Sequence, residues 1–218
     1  MASKPPIAPD PPDLPTEPHE ARSRTLVDHL VLEGAVLRRV DWSARTAGDI
    51  RLVQCRLDEV DLSGTGAPRA TFEDLAITGG SLANARLSGV RVRRATFEGV
   101  RMTGADLSSG SVHDVTFTDC RIDLGSFRFA SLERVTFERC RLEEIDFYGA
   151  ELRSVSFLDC AMVKAVWGEA TLTRCEMRGT DISAAGNPER LRGVRMPWAD
   201  VVNSAGVLAA AAGIEIVD

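Results

Sequence analysis

Five cysteines carry the most latent chemistry in this chain: Cys55, Cys120, Cys140, Cys160 and Cys175. Thiols can cross-link, ligate a soft metal or attack as nucleophiles. The three histidines, His19, His29 and His113, are scattered away from them, so a zinc site has little support. Serine, histidine and acidic residues are abundant, but there is no phosphate-binding loop, dinucleotide fingerprint, metalloprotease helix or nucleophile elbow. The sequence therefore predicts no catalytic residues, no metal and no cofactor, and a protein that is not an enzyme.

What positions the cysteines is a repeat. Every fifth residue from Leu52 to Ile182 is apolar, and the residue two before it is usually Ala, Val, Cys or Gly. A period of five matches neither the 3.6 of a helix nor the 2 of a flat strand, so an internal repeat is required. Residues two apart on an extended segment point to the same side, so the large and small positions of each quintet share one interior. All five cysteines fall on the small inward position, where a free thiol packs as a compact hydrophobe.

Five is odd, so a straight strand would turn every second quintet inside out, and the chain must bend once per repeat. Correlation at a lag of twenty implies four bends per turn: Phe97, Phe117, Phe137 and Phe157 form one column, and Cys120, Cys140 and Cys160 another. Successive turns should then pair as parallel strands about 4.8 Å apart. The cysteine column would bring its Cα atoms within the range a disulfide tolerates, although such thiols stay reduced in a cytosol. Gly64-Thr65-Gly66-Ala67-Pro68 keeps the register, since Leu62 and Phe72 remain ten residues apart, and it is expected as a kink or weak turn. The start of the first coil stays open, because Arg45 and Ala47 spoil a phase that Leu32, Leu37 and Trp42 keep.

Quintets such as Ala105-Asp106-Leu107-Ser108-Ser109, Val60-Asp61-Leu62-Ser63-Gly64 and Ala85-Arg86-Leu87-Ser88-Gly89 resemble the A(D/N)LXX unit of the pentapeptide-repeat family. The resemblance covers roughly residues 25–185. It implies an all-β solenoid, a right-handed quadrilateral parallel β-helix of about 8 coils. It also implies a function, since several members imitate B-form DNA as acidic rod-shaped dimers that occupy the DNA-binding saddle of gyrase or related type II topoisomerases.

Two tails flank the coil. Seven of the ten prolines lie within residues 1–18, and residues 1–24 are expected as a disordered Pro-rich tail, with a proline-rich ligand for another domain as the lesser alternative. Residues 186–218 are expected as a helical cap or dimerisation segment, with one α-helix from Trp198 to Ala212. Its apolar stripe would be Val201, Val202, Ala205, Leu208, Ala209 and Ala212. Ile214 to Val217 could add a strand between two copies. Without a hydrophobic signal core or long apolar span, the expectation is a cytoplasmic protein with no membrane contact.

Thirty-two acidic against 26 basic side chains argue against direct nucleic-acid binding, because a net negative surface repels phosphates. The candidate acidic partner surface is Asp58, Glu59, Glu98, Asp119, Asp123, Glu138, Glu143, Glu144 and Asp159, interrupted by Arg121, Arg139 and Arg141. The wall holding Arg91, Arg93 and Arg94 is slightly basic. Outward apolar residues gather late in the chain, and Phe129, Tyr148, Val163, Val166, Trp198, Val201 and Leu208 form the candidate dimer or partner patch. The resulting expectation is a protein-binding protein, a homodimer through its C-terminal end, with DNA gyrase as the sharper partner and a general interaction scaffold as the alternative.

Overall fold

A quintet with two inward residues has room for only three or four extended residues before it must turn. The computed structural model, which describes residues 4–21 and 25–217, shows what the turn is made of. The residue two after each large inward one sits in the left-handed region. Along one corner these are Gln54, Asp74, Arg94, Asp114, Arg134 and Ser154, with φ between 48° and 56°. Gly64, Asn84, Gly104, Leu124 and Glu144 mark a second corner, and the same conformation recurs at Glu59, Gly79 and Asp119 and at Arg69, Gly89 and Phe129. Four such corners close one turn of twenty residues.

The strands stack in parallel. After β1 (His19–Glu20), β2 (Val31–Glu33) and β3 (Ala35–Arg38) come six strands of eight residues: β4 (Arg51–Asp58), β5 (Thr71–Thr78), β6 (Arg91–Glu98), β7 (Ser111–Thr118), β8 (Ser131–Glu138) and β9 (Glu151–Leu158). Then β10 (Thr171–Thr173) and β11 (Glu176–Arg178) each pair with β9. From β4 to β9 every partner is twenty residues away, as in Phe97↔Phe117 and Phe137↔Phe157. Single bridges at the same offset, such as Arg101↔Arg121 and Asp106↔Ser126, join the other two walls. The product is the expected parallel β-solenoid of about 8 turns.

The interior is a set of columns. Phe97, Phe117, Phe137 and Phe157 stack with ring centroids 4.7, 4.9 and 5.1 Å apart. Phe127, Phe147 and Trp167 form a second stack at 5.5 and 4.8 Å. Each large buried side chain contributes roughly 1.5–3 kcal/mol, against the roughly 1–2 kcal/mol that a non-glycine left-handed corner costs. Burial thus offsets the corners. At Gly80 (φ 75°) only glycine serves, since a Cβ would lie 2.2 Å from the Val60 carbonyl oxygen.

The cysteines lie in the small inward columns, all free and buried. Each Sγ lies 3.2–3.6 Å from backbone carbonyls, as Cys120 does from Phe97 O and Thr118 O at 3.4 Å. Thr180 continues the column, its hydroxyl donating to Phe157 O (3.0 Å) and Arg178 O (3.2 Å). Burial pushes the Cys175 thiol up to about 11 and Cys55 upward too, so neither is a ready thiolate.

Three expectations change. Gly64 to Pro68 neither kinks nor projects: Gly66 bridges Thr46 and Arg86, and Ala67 is buried. The ladder reaches back through Trp42, Leu37 and Leu32, all buried, with Ala47 filling a large position and Arg45 exposed beside the stack's first turn. The helix of residues 198–212 is two short ones, α1 (Trp198–Asn203) and α2 (Ala205–Ala211), parted at Ser204 with φ −99° and ψ 12°. Neither buries a residue: of the expected stripe, Val201, Leu208 and Ala209 are half-buried while Val202, Ala205 and Ala212 are exposed; Val207, with Val194 and Met196, packs against the core and Leu191 is buried. Residues 214–217 are exposed and not in a strand.

The larger change is at the N-terminus. Residues 4–21, expected as a disordered tail, run extended against the coil, bend at Thr16 and Glu17, and end in β1 paired with β3. Apolar side chains are too few there to order a tail by burial; the attachment uses backbone amides, which composition does not display. Residues 1–3, 22–24 and 218 lie outside the described residues.

Candidate functional site

A regular prism offers walls, corners and ends. Its two acidic corners are largely compensated. Of the nine carboxylates singled out, seven pair with a cation, and most partners are one coil away: Arg38–Asp58 (3.3 Å), Arg39–Glu59 (2.8 Å), Arg139–Asp119 (2.9 Å), Arg141–Asp123 (3.2 Å) and Lys164–Glu144 (3.2 Å). Glu138 pairs with Arg139, and Glu143 with Arg141 at 2.7 Å. Asp123 is buried beneath Arg121 and Arg141, while Glu98 and Asp159 carry no ion pair among the described residues. A hydrogen bond from Arg139 holds the Asp119 carboxyl below the usual carboxylate range.

The apolar patch divides. Phe129 sits at a corner, 57% exposed, and meets Tyr148 edge-on with centroids 5.6 Å apart. The Arg128 guanidinium lies over both rings, 4.6 Å from that of Tyr148 and 5.6 Å from that of Phe129, and Arg128 also holds Asp146 at 2.7 Å. A hydrogen bond to Glu169 raises the Tyr148 hydroxyl pKa. Val166 is on the same wall, bridged to Asp146, whereas Val163 belongs to the neighbouring wall. Trp198, Val201 and Leu208 sit apart on the terminal helices. The Asp200 carboxylate anchors α1 by accepting from the Gly179 amide (2.7 Å), at the corner diagonally opposite the one Phe129 occupies. Trp198 is 79% exposed and makes no ring contact with Phe129 or Tyr148.

The reading from sequence missed a third surface. Along the corner of Asp74, Arg94, Asp114 and Arg134, charges alternate at one residue per coil. Arg94 donates to Asp74 through Nε (2.6 Å) and Nη2 (2.5 Å), and Arg134 to Asp114 through Nε (2.6 Å) and Nη2 (2.7 Å). Such forked pairs are the strong ones. Asp74 and Asp114 are buried, and the guanidinium bonds hold both carboxyls below their usual range. Each also accepts from the N-terminal segment: the Asp13 amide donates to Asp74 Oδ1 (2.9 Å) and the Asp10 amide to Asp114 Oδ1 (3.1 Å). The lag-twenty Asp/Arg alternation was the available signal.

A family model described as pentapeptide repeat region matches residues 70–147, 90–167 and 112–186, over half of the chain together. The chain belongs to the pentapeptide-repeat family. Among solved structures it is similar to QnrB1, a plasmid-mediated fluoroquinolone resistance protein, at 16% identity and a TM-score of 0.44, over 88% of this chain and 99% of that one. It is similar to HetL, involved in heterocyst differentiation regulation in Nostoc sp. strain PCC 7120, at 21% identity and a TM-score of 0.31, over 77% and 87% of the two chains. A pentapeptide repeat protein of the Arabidopsis thaliana thylakoid lumen shares 18% identity at a TM-score of 0.23, over 60% and 70%. No curated relative matches. Pentapeptide-repeat neighbours this distant and this varied say nothing about a shared partner.

Proposed function

We propose that this pentapeptide-repeat protein is a non-enzymatic, cytoplasmic protein-binding rod that uses no cofactor and makes no direct contact with nucleic acid. The observation that carries the reading is the exposed Phe129 ring packed with half-buried Tyr148 and Arg128 on a largely charge-compensated surface. Aromatic and arginine side chains that are already ordered lose little entropy on docking, which is why they dominate the energetics of interfaces. The test is Phe129→Glu with Tyr148→Glu: capture of the cellular partner should fall at least tenfold while the melting midpoint holds. Undiminished capture would overturn it.

A second reading is kept because the net charge is −6 and Glu98 and Asp159 stand free of ion pairs among the described residues. The protein would then bind DNA gyrase or a related type II topoisomerase as a DNA mimic, modulating it or shielding it from inhibitors. Inhibition of gyrase supercoiling, or protection of gyrase from a quinolone, at micromolar protein would support this, and Glu143→Lys with Glu144→Lys should weaken the effect. Silence in both assays would end it.

In either reading the molecule works as a homodimer through its C-terminal end, where Trp198, Val202, Ile214, Ile216 and Val217 are exposed beside Val201 and Leu208. Mass measurement in solution checks this, with monomer the refuting result.

A further inference from the structure

The proline-rich segment and the corner column beneath it share a spacing. Pro6, Pro9, Pro12, Pro15 and Pro18 recur at every third residue. All five are partly covered, whereas the residues between them, apart from Leu14, are exposed. Three residues make one turn of a polyproline II helix, rising about 9.3 Å. Two coils of the solenoid rise about 9.6 Å. From Asp74 to Asp114 is forty residues, two coils, and the amides that reach them, those of Asp13 and Asp10, are three residues apart. One turn of the segment therefore spans two turns of the solenoid, and the same contact repeats with almost no drift.

The chemistry fits the spacing. A polyproline II helix makes no internal hydrogen bonds, so the amide after each proline of the three-residue series is free to donate outward. The acceptors are fixed in advance, since Arg94 and Arg134 grip the two carboxylates and leave Oδ1 of each open to a further donor. Gln54 Nε2 adds a bond to Asp13 O at 3.2 Å. The Asp10 charge also acts on Arg134, so an acid of the segment favours that arginine rung.

We propose that the Asp74, Arg94, Asp114 and Arg134 corner is a polyproline-binding site whose resident ligand is residues 5–18 of the same molecule, read by the Asp10 and Asp13 amides, which follow Pro9 and Pro12. A proline-rich segment with a hydrogen-bearing residue in that place is the ligand class. The site is separate from the Phe129 and Tyr148 cluster and does not depend on the proposed function.

Hydrogen exchange on the intact chain is the primary test. Asp10 and Asp13 amides should exchange at least about tenfold more slowly than that of Ala8 in the same segment. Asp10→Pro with Asp13→Pro removes both donors yet favours the extended helix. That variant should still melt cooperatively, show displaced Nε–H resonances for Arg94 and Arg134, and bind a synthetic peptide of residues 4–18 saturably. Asp10 and Asp13 amides exchanging at free-peptide rates, or arginine resonances identical in parent and variant, would overturn the proposal.

Discussion

Two corners of the prism, one quintet apart, carry the same pair of residues in the same backbone geometry. Asp114 and Arg134 stand at one, Asp119 and Arg139 at the next, each pair twenty residues apart with an Nε–Oδ1 distance of 2.6 or 2.9 Å. The environments differ. The Asp114 side chain is 5% exposed and Arg134 29%, while Asp119 and Arg139 are about half exposed. Water screens the second pair and leaves it little to contribute. The first has a buried carboxylate, which accepts an additional amide and ties a remote segment to the coil. Sequence alone makes them twins; what lies over them makes them unequal.

Phe137 lies in the stack beneath both corners, so Phe137→Asp, which buries an unpaired charge, should erase the contrast by unfolding several turns, a loss above about 4 kcal/mol in a denaturant titration. Next in size, Asp114→Ala should cost about 2 kcal/mol, the range for hydrogen bonds to charged groups, whereas Asp119→Ala should leave the melting midpoint within error. Equal shifts for the two variants would dissolve the distinction. Smallest is the response to acid. Asp74 and Asp114 have carboxyls held below their usual range, so the folded state binds fewer protons than the unfolded chain. Their contribution is complete above the unfolded value near 3.9 and disappears as pH falls through the depressed folded value. Amide protection at Asp10 should persist at pH 5 and fade only in strong acid.

Much of this was legible beforehand. Phe97 to Phe157 and Cys120 to Cys160 mark the columns because the core repeats identical environments, and identical environments select like residues. The corner conformation was not legible, since Asp, Arg, Ser, Phe and Gly all occupy it, and only the need to bend after five residues forces the left-handed turn. The acidic residues are plain in the sequence, yet their compensation by cations twenty residues away depends on stacking that a linear scan does not weigh. The helix of residues 198–212 looked continuous from its alanines, but Ser204 leaves helical geometry while its amide donates to Asp200 O, and the interruption divides it. The order of the N-terminal segment is not legible from apolar content, because its attachment rests on backbone amides set by a three-residue proline interval.

The twenty-residue circuit sets a quantum for change in length. Adding five residues anywhere would preserve the packing of every later quintet, but swing all downstream faces by a quarter turn and scramble which side chains share an edge. Adding twenty would restore the faces, yet between Asp74 and Asp114 it would open a gap that three residues of N-terminal chain could no longer bridge. In this molecule the proline segment acts as a ruler laid against the stack, and it tolerates lengthening only outside the stretch it measures.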